Sequence, residues 1–262
     1  MELLGYSALQ MKIGFLGTGH ITSSVIEGII KSKLKINKIY ISPRNRLVSK
    51  KLSKKFKKVT ISRSNQQLIN TVNWVFLAVT PKVGHKILKD LTFRKNQKII
   101  SFISTINFEK LKKYTKNKNI TRVIPLPFIG MRKGPIIICP KDNKVKKFFD
   151  RLGKTIEVSS EKISKNFWTI SSFMAPFYNM MMVTSDWLVR KGVNKKAAED
   201  YTRELFMALS QDSIFKNKLS LKQLVSESQT PGGINAQALK ELKKKKFYKI
   251  QQKVLNSIFK RF

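Results

Sequence analysis

The sequence predicts an α/β chain: a doubly wound, mostly parallel sheet followed by an all-helical region. Three observations carry that expectation. Apolar runs of strand length alternate with helical patterns from Met11 to about Glu157. The stretch from Lys12 to Thr22 reads as a buried strand, a turn with Gly17 and Gly19, and the start of a helix, the order that opens a Rossmann-type domain. After Glu157 the strand patterns stop and only helical ones follow. The expected organisation is an extension over residues 1–10, a nucleotide-binding domain over 11–160 and a helical dimerisation domain over 161–262.

The strand runs are Ile13–Leu16, Ile39–Ile41, Val59–Ile61, Trp74–Val79, Ile99–Ile103, Arg122–Ile124 and Ile136–Cys139. Helical patterns lie at Ile21–Lys33, Arg44–Phe56, Val83–Leu91 and Phe108–Tyr114. Runs that are apolar throughout suit strands covered on both faces by helices. In the first turn Gly17 permits a tight bend and Gly19 lets a pyrophosphate approach the main chain; free N–H groups at the helix start bind that anion. Gly17, Thr18, Gly19, His20 and Ile21 are the expected phosphate-side contacts, with Thr22 where a third glycine is usual. An acid at the end of the second strand would hold the ribose 2′-OH of NAD. Ser42-Pro43-Arg44-Asn45-Arg46 stands there instead. Arg44, with Ser42 and Asn45, suits a 2′-phosphate, so NADPH is expected over NADH. Ligands of open α/β sheets lie beyond the carboxyl ends of the strands. That puts Ala78, Val79, Thr80 and Pro81 along the cofactor and Pro125 near its reacting end.

Ser164–Lys191 reads as one long apolar helix carrying Trp168, Phe173, Phe177, Tyr178, Met180 to Met182 and Trp187. With no polar face along its middle it needs cover on most sides, and a helix of a second copy is expected to supply it. Helices at Asn194–Ser213, Leu219–Ser226 and Ile234 to about Lys260 follow. Between the last two, Thr230-Pro231-Gly232-Gly233-Ile234-Asn235 repeats the glycine-then-helix order of the first loop. It suits a carboxylate held by helix N–H groups; a plain helix–helix turn uses the same residues.

The composition narrows the class. A chain of 262 residues that is 42% hydrophobic supports a real core. Its one cysteine, Cys139, rules out an internal disulfide framework and fits a reducing compartment, here read as the cytoplasm. Cys139 lies in an apolar run and reads as a small buried hydrophobe. No apolar run is long enough to span a bilayer, and residues 1–10 lack the pattern of a secretory signal. The formal charge of +38 suggests an anionic partner, but only ten of the 53 basic residues are Arg and the Lys are dispersed. Nucleic-acid readers favour Arg with aromatics, so neither nucleic acid nor membrane is expected as a partner. No metal-ligand spacing and no nucleophile elbow is present.

Several blocks, in order, resemble the pyrroline-5-carboxylate reductase family. They are the Gly17-Thr18-Gly19 loop, the strand end Ser42–Asn45, Leu77-Ala78-Val79-Thr80-Pro81, Arg122-Val123-Ile124-Pro125, Thr169–Tyr178 with Pro176, and Thr230-Pro231-Gly232-Gly233. The resemblance implies a Rossmann domain and a helical domain that dimerises, with higher oligomers common. It implies NAD(P)H-dependent reduction of 1-pyrroline-5-carboxylate, a cyclic imine carboxylate, to L-proline. Pro125, Gly232, Gly233, Ile234 and Asn235 would bind the substrate. Asn235 would hydrogen-bond the ring nitrogen where the family has Thr, which makes it the catalytic-side candidate. The departures gather on the substrate side: Thr80 for a usual Lys, Leu126 for a usual Asn, bulky Ser172-Phe173-Met174-Ala175 before Pro176, and Asn235 itself. Cofactor use is therefore more firmly implied than substrate identity. The alternatives are a divergent paralogue reducing another imine or small carboxylate and a nucleotide-binding protein without catalysis. A related hydroxy-acid reductase would place a Lys on the long helix, and Phe167–Leu188 contains none.

Overall fold

A computed structural model describes residues 11–262; the expected extension over residues 1–10 lies outside the described residues. Strands and helices alternate as β1 (Met11–Leu16), α1 (His20–Lys31), β2 (Ile36–Ile41), α2 (Arg46–Lys55), β3 (Val59–Ile61), α3 (Asn65–Thr71) and β4 (Trp74–Leu77). The series continues with α4 (Pro81–Ile87), β5 (Lys98–Ser101), α5 (Phe108–Thr115), β6 (Ile120–Ile124), β7 (Pro135–Cys139), α6 (Asn143–Phe149) and β8 (Lys154–Glu157). The sheet order is β3-β2-β1-β4-β5-β6-β7-β8. The chain runs outward from β1 to β3, then returns to the other side of β1 with β4. This reversal is the switch point of a doubly wound sheet, where ligands of such folds sit.

The strands are parallel except that β7 runs antiparallel to β6. The connection over residues 125–134 holds only a short 3-10 turn, Pro127–Met131, and a parallel return needs a longer crossover. Successive residues of each strand face opposite helical layers. Ile13, Phe15 and Phe76 join Val25, Ile26 and Ile29 of α1 and Phe148 and Phe149 of α6 in one core. Phe15 and Phe76 stack there with ring centres 4.5 Å apart. Leu16, Val75, Leu77 and Ile99 pack on the opposite face with Leu68 of α3, Leu88 and Leu111 of α5. Apolar burial on both faces is why these strands read as unbroken apolar runs rather than alternating ones.

The chain divides into two compact units, one ending at Phe167 and the other Trp168–Phe262. The boundary falls within α7 (Glu161–Ser171). The helices that follow are α8 (Met174–Arg190), α9 (Lys195–Phe215), α10 (Leu221–Glu227), α11 (Ile234–Lys244) and α12 (Phe247–Phe259). The single helix expected over Ser164–Lys191 is thus two. The break at Ser172–Phe173 places Pro176 in the first turn of α8, where a missing N–H is tolerated. The expected last helix is also two, separated at Lys246, whose φ of 60° is left-handed. The second unit leaves large apolar side chains open, among them Phe215 (87% exposed), Ile214 (71%) and Trp187 (54%). Among the described residues no helix is long and apolar enough to cross a membrane.

Candidate active site

Three strand ends meet at the switch point. The Ser42 N–H donates to the Phe15 carbonyl at 3.1 Å and the Ala78 N–H to the Leu16 carbonyl at 2.8 Å, which carries the ladder just past the strands. Gly17 follows at once, and its N–H donates to Ser42 Oγ at 3.0 Å. Gly17 has φ of +105°, and a Cβ there would lie 2.3 Å from the Ala78 carbonyl oxygen. Only glycine meets both demands. Gly17, Ser42 and Ala78, three of the residues singled out in the sequence, are therefore brought together by sheet topology.

The turn is then closed from behind. Thr22, buried in the first turn of α1, donates its hydroxyl to the Gly17 carbonyl at 2.8 Å, so the residue replacing a third glycine locks the loop. Ser49 of α2 lies with its hydroxyl 3.1 Å from the Ser42 carbonyl and 3.3 Å from the Thr18 hydroxyl. Ser49 was not among the sequence candidates. The available signal was a Ser on the apolar face of α2, between Val48 and Leu52, which must find polar partners when buried.

The outer side of the loop is open. Gly19 caps α1 with no side-chain hydrogen bond and no acid in the first turn. A Cβ built on Gly19 would have nothing within 4 Å. His20 is exposed and Ile21 half-buried. First-turn N–H groups that no side chain caps, with no acid in that turn, are an anion cradle, and the room over Gly19 is where a pyrophosphate would lie. The residues present fit a dinucleotide.

The expected 2′-phosphate group separates into distinct roles. Ser42 is buried and its oxygens are engaged by Gly17 and Ser49. Asn45 caps α2, accepting from the Val48 N–H at 3.3 Å, while its amide reaches the Thr18 carbonyl at 3.4 Å. Arg44 is exposed and has no hydrogen bond or ion pair among the described residues, so it is the member of the trio with donors to spare. Farther along the layer Glu27 pairs with Lys55 at 2.7 Å, and that hydrogen bond holds the Glu27 carboxyl below its ordinary range.

Val79 is half-buried beside Gly17, whereas Thr80 and Pro81 are exposed at the start of α4. Pro125 is buried just after β6. On the same strand the Arg122 guanidinium is fully buried. It pairs with Glu161, donates to the Ile106 carbonyl and lies 4.9 Å from the centre of the Phe108 ring. Burial pulls its pKa down against the opposing pull of Glu161. This pairing ties the end of the sheet to the start of α7. Cys139 is buried, and burial raises its thiol pKa. His85 is exposed on α4, 2.9 Å from the Tyr114 hydroxyl. Among the described residues no group of His, Cys, Asp or Glu could hold a metal.

The second loop lies in the helical unit. Gly233 caps α11 without a side-chain bond, and the ladder starts with the Gln237 N–H on the Gly233 carbonyl at 3.1 Å. The N–H groups of Ile234, Asn235 and Ala236 precede it. Gly232 has φ of +72°, and the Gly233 N–H closes the turn on the Thr230 carbonyl at 2.8 Å. The Asn235 amide donates to the Ser228 carbonyl at 3.2 Å, a partner the sequence did not reveal. Gly232, Ile234 and Asn235 are exposed and Gly233 half-buried.

Comparison with known proteins agrees with this division. A family model described as NADP oxidoreductase coenzyme F420-dependent matches residues 12–107. A second, described as pyrroline-5-carboxylate reductase dimerisation, matches residues 161–262. ComE operon protein 4 of Bacillus subtilis is 30% identical over 119 residues, which are 44% of this chain and 43% of that protein. The chain spans a little under half the length of this and two other curated relatives it matches. Pyrroline-5-carboxylate reductase 2 of Bacillus subtilis is 23% identical over 90% of this chain and 88% of its own. Among solved structures, 1-pyrroline-5-carboxylate reductase of Streptococcus pyogenes has a TM-score of 0.82 at 21% identity, covering 96% of this chain and 98% of that one. Pyrroline carboxylate reductase of Plasmodium falciparum, with NADP bound, has a TM-score of 0.80 at 21% identity, covering 96% of each chain. At these identities the structural likeness is one of fold. Residues 161–262 thus match the pyrroline-5-carboxylate reductase dimerisation model, residues 12–107 match an NADP oxidoreductase model, and the fold is similar to that of solved pyrroline-5-carboxylate reductases.

Proposed function

We propose that this chain is an NADPH-dependent reductase of 1-pyrroline-5-carboxylate that forms L-proline. Residues 11–160 bind the cofactor, and residues 161–262 bind substrate and form a homodimer or higher homo-oligomer in the cytoplasm. The observation that carries the reading is the open glycine loop at the switch point: Gly17 pressed onto Ala78, and Gly19 uncapped and uncovered. The likeness to a family member with NADP bound supports the cofactor class. The match to a dimerisation model and the open apolar side chains of the second unit support association.

When bound, the nicotinamide supplies the hydride that reduces the C=N carbon. The Gly17–Ile21 backbone holds the pyrophosphate, and Arg44 pairs with the 2′-phosphate. Ala78, Val79, Thr80 and Pro81 run beside the rest of the cofactor, and Pro125 borders its reacting end. The backbone of Gly232, Gly233 and Ile234 anchors the substrate carboxylate, with the Gly233 N–H kept on the Thr230 carbonyl to shape the loop, and Asn235 faces the ring nitrogen. A cyclic imine is protonated readily near neutral pH, so no side chain need supply a strong acid. The chain's task is to fix two reactants in register, which is worth several kcal/mol on its own.

The test is NADPH oxidation with 1-pyrroline-5-carboxylate and, in parallel, 1-pyrroline-2-carboxylate. Turnover of the first supports proline formation. Turnover of the second alone would move the activity to the isomer, and tight NADPH binding without turnover would leave a nucleotide-binding protein.

A further inference from the structure

The cations of this chain are spread along its sequence, but its acids are not. No Asp or Glu lies between Glu27 and Asp90, a stretch with sixteen Lys and Arg. The fold gathers much of that stretch at one side of the sheet: β3 is the edge strand, β2 lies next to it, and α2 packs against β3. On α2, Arg46, Lys50 and Lys54 recur every fourth residue, about 6 Å apart along the axis, with Lys51 and Lys55 in the neighbouring row. All five are exposed. Glu27 of α1 reaches this face and pairs with Lys55 at 2.7 Å, while Lys51 adds only its field to that carboxyl. The side chains of Arg46, Lys50, Lys51 and Lys54 make no hydrogen bond or ion pair among the described residues. Elsewhere helical lysines are matched by an acid one turn away: Lys112 by Glu109, Lys146 by Asp150 and Lys216 by Asp212. Like charges at i,i+4 oppose each other, and Arg46 in the first turn of α2 opposes the helix dipole. A polyanion laid along α2 relieves both effects.

We propose that the exposed face of α2 binds the phosphate backbone of duplex DNA without reading its sequence. Lysine meets phosphate as a point charge and lacks the fork that reads a base edge. The exposed side of α2 has no aromatic ring on which an unpaired base could stack; Phe56, which follows the helix, packs on the core. Nor has it an apolar face to enter a bilayer. Val48 and Leu52 pack on the core, and of the apolar residues on α2 Leu47 alone is open. A second basic run, over residues 240–253, includes Glu241 and lies in the segment matched to dimerisation, among open apolar side chains that a second copy would cover.

The test is fluorescence-anisotropy titration of a short mixed-sequence DNA duplex with the full chain at several salt concentrations. About four phosphate contacts predict a log–log slope of about −3.6, so affinity falls roughly a hundredfold between about 50 and 200 mM salt. Lys50→Gln, Lys51→Gln and Lys54→Gln combined are expected to reduce that slope by about 2.7. Lys112→Gln, Lys146→Gln and Lys216→Gln combined remove the same net charge and are expected to leave the slope as it is. The α2 variant is expected to melt no lower than the native chain, because like-charge neighbours are removed. Equal slope changes in the two triple variants would assign binding to overall charge and overturn the proposal. So would absence of duplex binding at low salt, tighter binding of single-stranded DNA than of duplex, or an α2 variant that loses phosphatidylserine vesicles but keeps the duplex.

Discussion

Gly19 and Gly17 allow the cofactor role of the first loop to be separated from its structural role. A methyl group added at Gly19 meets no atom of the chain within 4 Å, and its φ of −87° is ordinary for alanine. Two small effects on stability oppose each other: alanine lowers the entropy of the unfolded chain, by about 0.4–1 kcal/mol, and is a poorer helix cap than glycine by a similar amount. The net change in unfolding free energy for Gly19→Ala should stay within about 0.5 kcal/mol. The same methyl occupies the space where a pyrophosphate must approach the N–H groups of α1. Losing one or two hydrogen bonds to a charged group costs about 1.5–3 kcal/mol each, so NADPH affinity should fall roughly ten- to a hundredfold or more. Gly17→Ala is the contrast. Its φ of +105° and the 2.3 Å approach to the Ala78 oxygen force the loop or the strand end to move, at a cost of about 2–4 kcal/mol in stability. Thermal unfolding read beside a fluorescence titration with NADPH distinguishes the two. If Gly19→Ala binds NADPH like the native chain, the pyrophosphate does not lie on this loop.

Three further outcomes are expected. Arg44→Ala should weaken NADPH by at least roughly tenfold while leaving NADH nearly unchanged, since a charged pair to phosphate is lost in one case only; equal losses in titrations would remove Arg44 from the 2′-phosphate. Ser42→Ala deletes the acceptor of the Gly17 N–H and should cost about 1–2 kcal/mol in denaturant unfolding, with NADPH affinity falling as the loop loosens. The third concerns Asp142, 2.5 Å from Lys98 with both side chains largely covered. Burial works to raise the Asp142 pKa, but the Lys98 hydrogen bond and the N–H groups of Val145 and Lys144 outweigh it and hold the carboxyl below its ordinary value. A carboxyl depressed in the folded state contributes stability that is complete above the ordinary range and disappears as pH falls through the depressed value. The native chain should therefore lose stability below about pH 4. Asp142→Asn, which still caps α6, should be about 1–3 kcal/mol less stable at neutral pH with a flatter acid limb; parallel pH–stability curves would contradict this.

The sheet was legible in the sequence because strands covered on both faces leave a simple mark. Ile13–Leu16, Val59–Ile61 and Ile136–Cys139 each lie within an observed strand. β8 left no such mark: Lys-Thr-Ile-Glu at the sheet edge has a single apolar residue. The antiparallel turn into β7 depended on connection length rather than on any residue. In the helical region Pro176 marks the first turn of α8, a signal that the single-helix expectation over Ser164–Lys191 passed over, whereas the break at Lys246 has no glycine or proline to announce it. The candidate site divides in the same way. Glycines mark where a ligand could approach the main chain, so both loops stand out in the sequence. Which polar side chains remain free depends on partners distant in sequence: Ser42 and Asn45 looked like ligand groups, and the structure gives them to Gly17, Ser49, Thr18 and the cap of α2. Ser228 became visible only through its bond to Asn235.

The most direct test of the central claim is to supply 1-pyrroline-5-carboxylate with NADPH deuterated at the transferable C4 position and to read the product by mass spectrometry. The account predicts L-proline carrying one deuterium at C5, the former imine carbon. Cofactor binding with no deuterated proline, in a protein that remains folded, would contradict it.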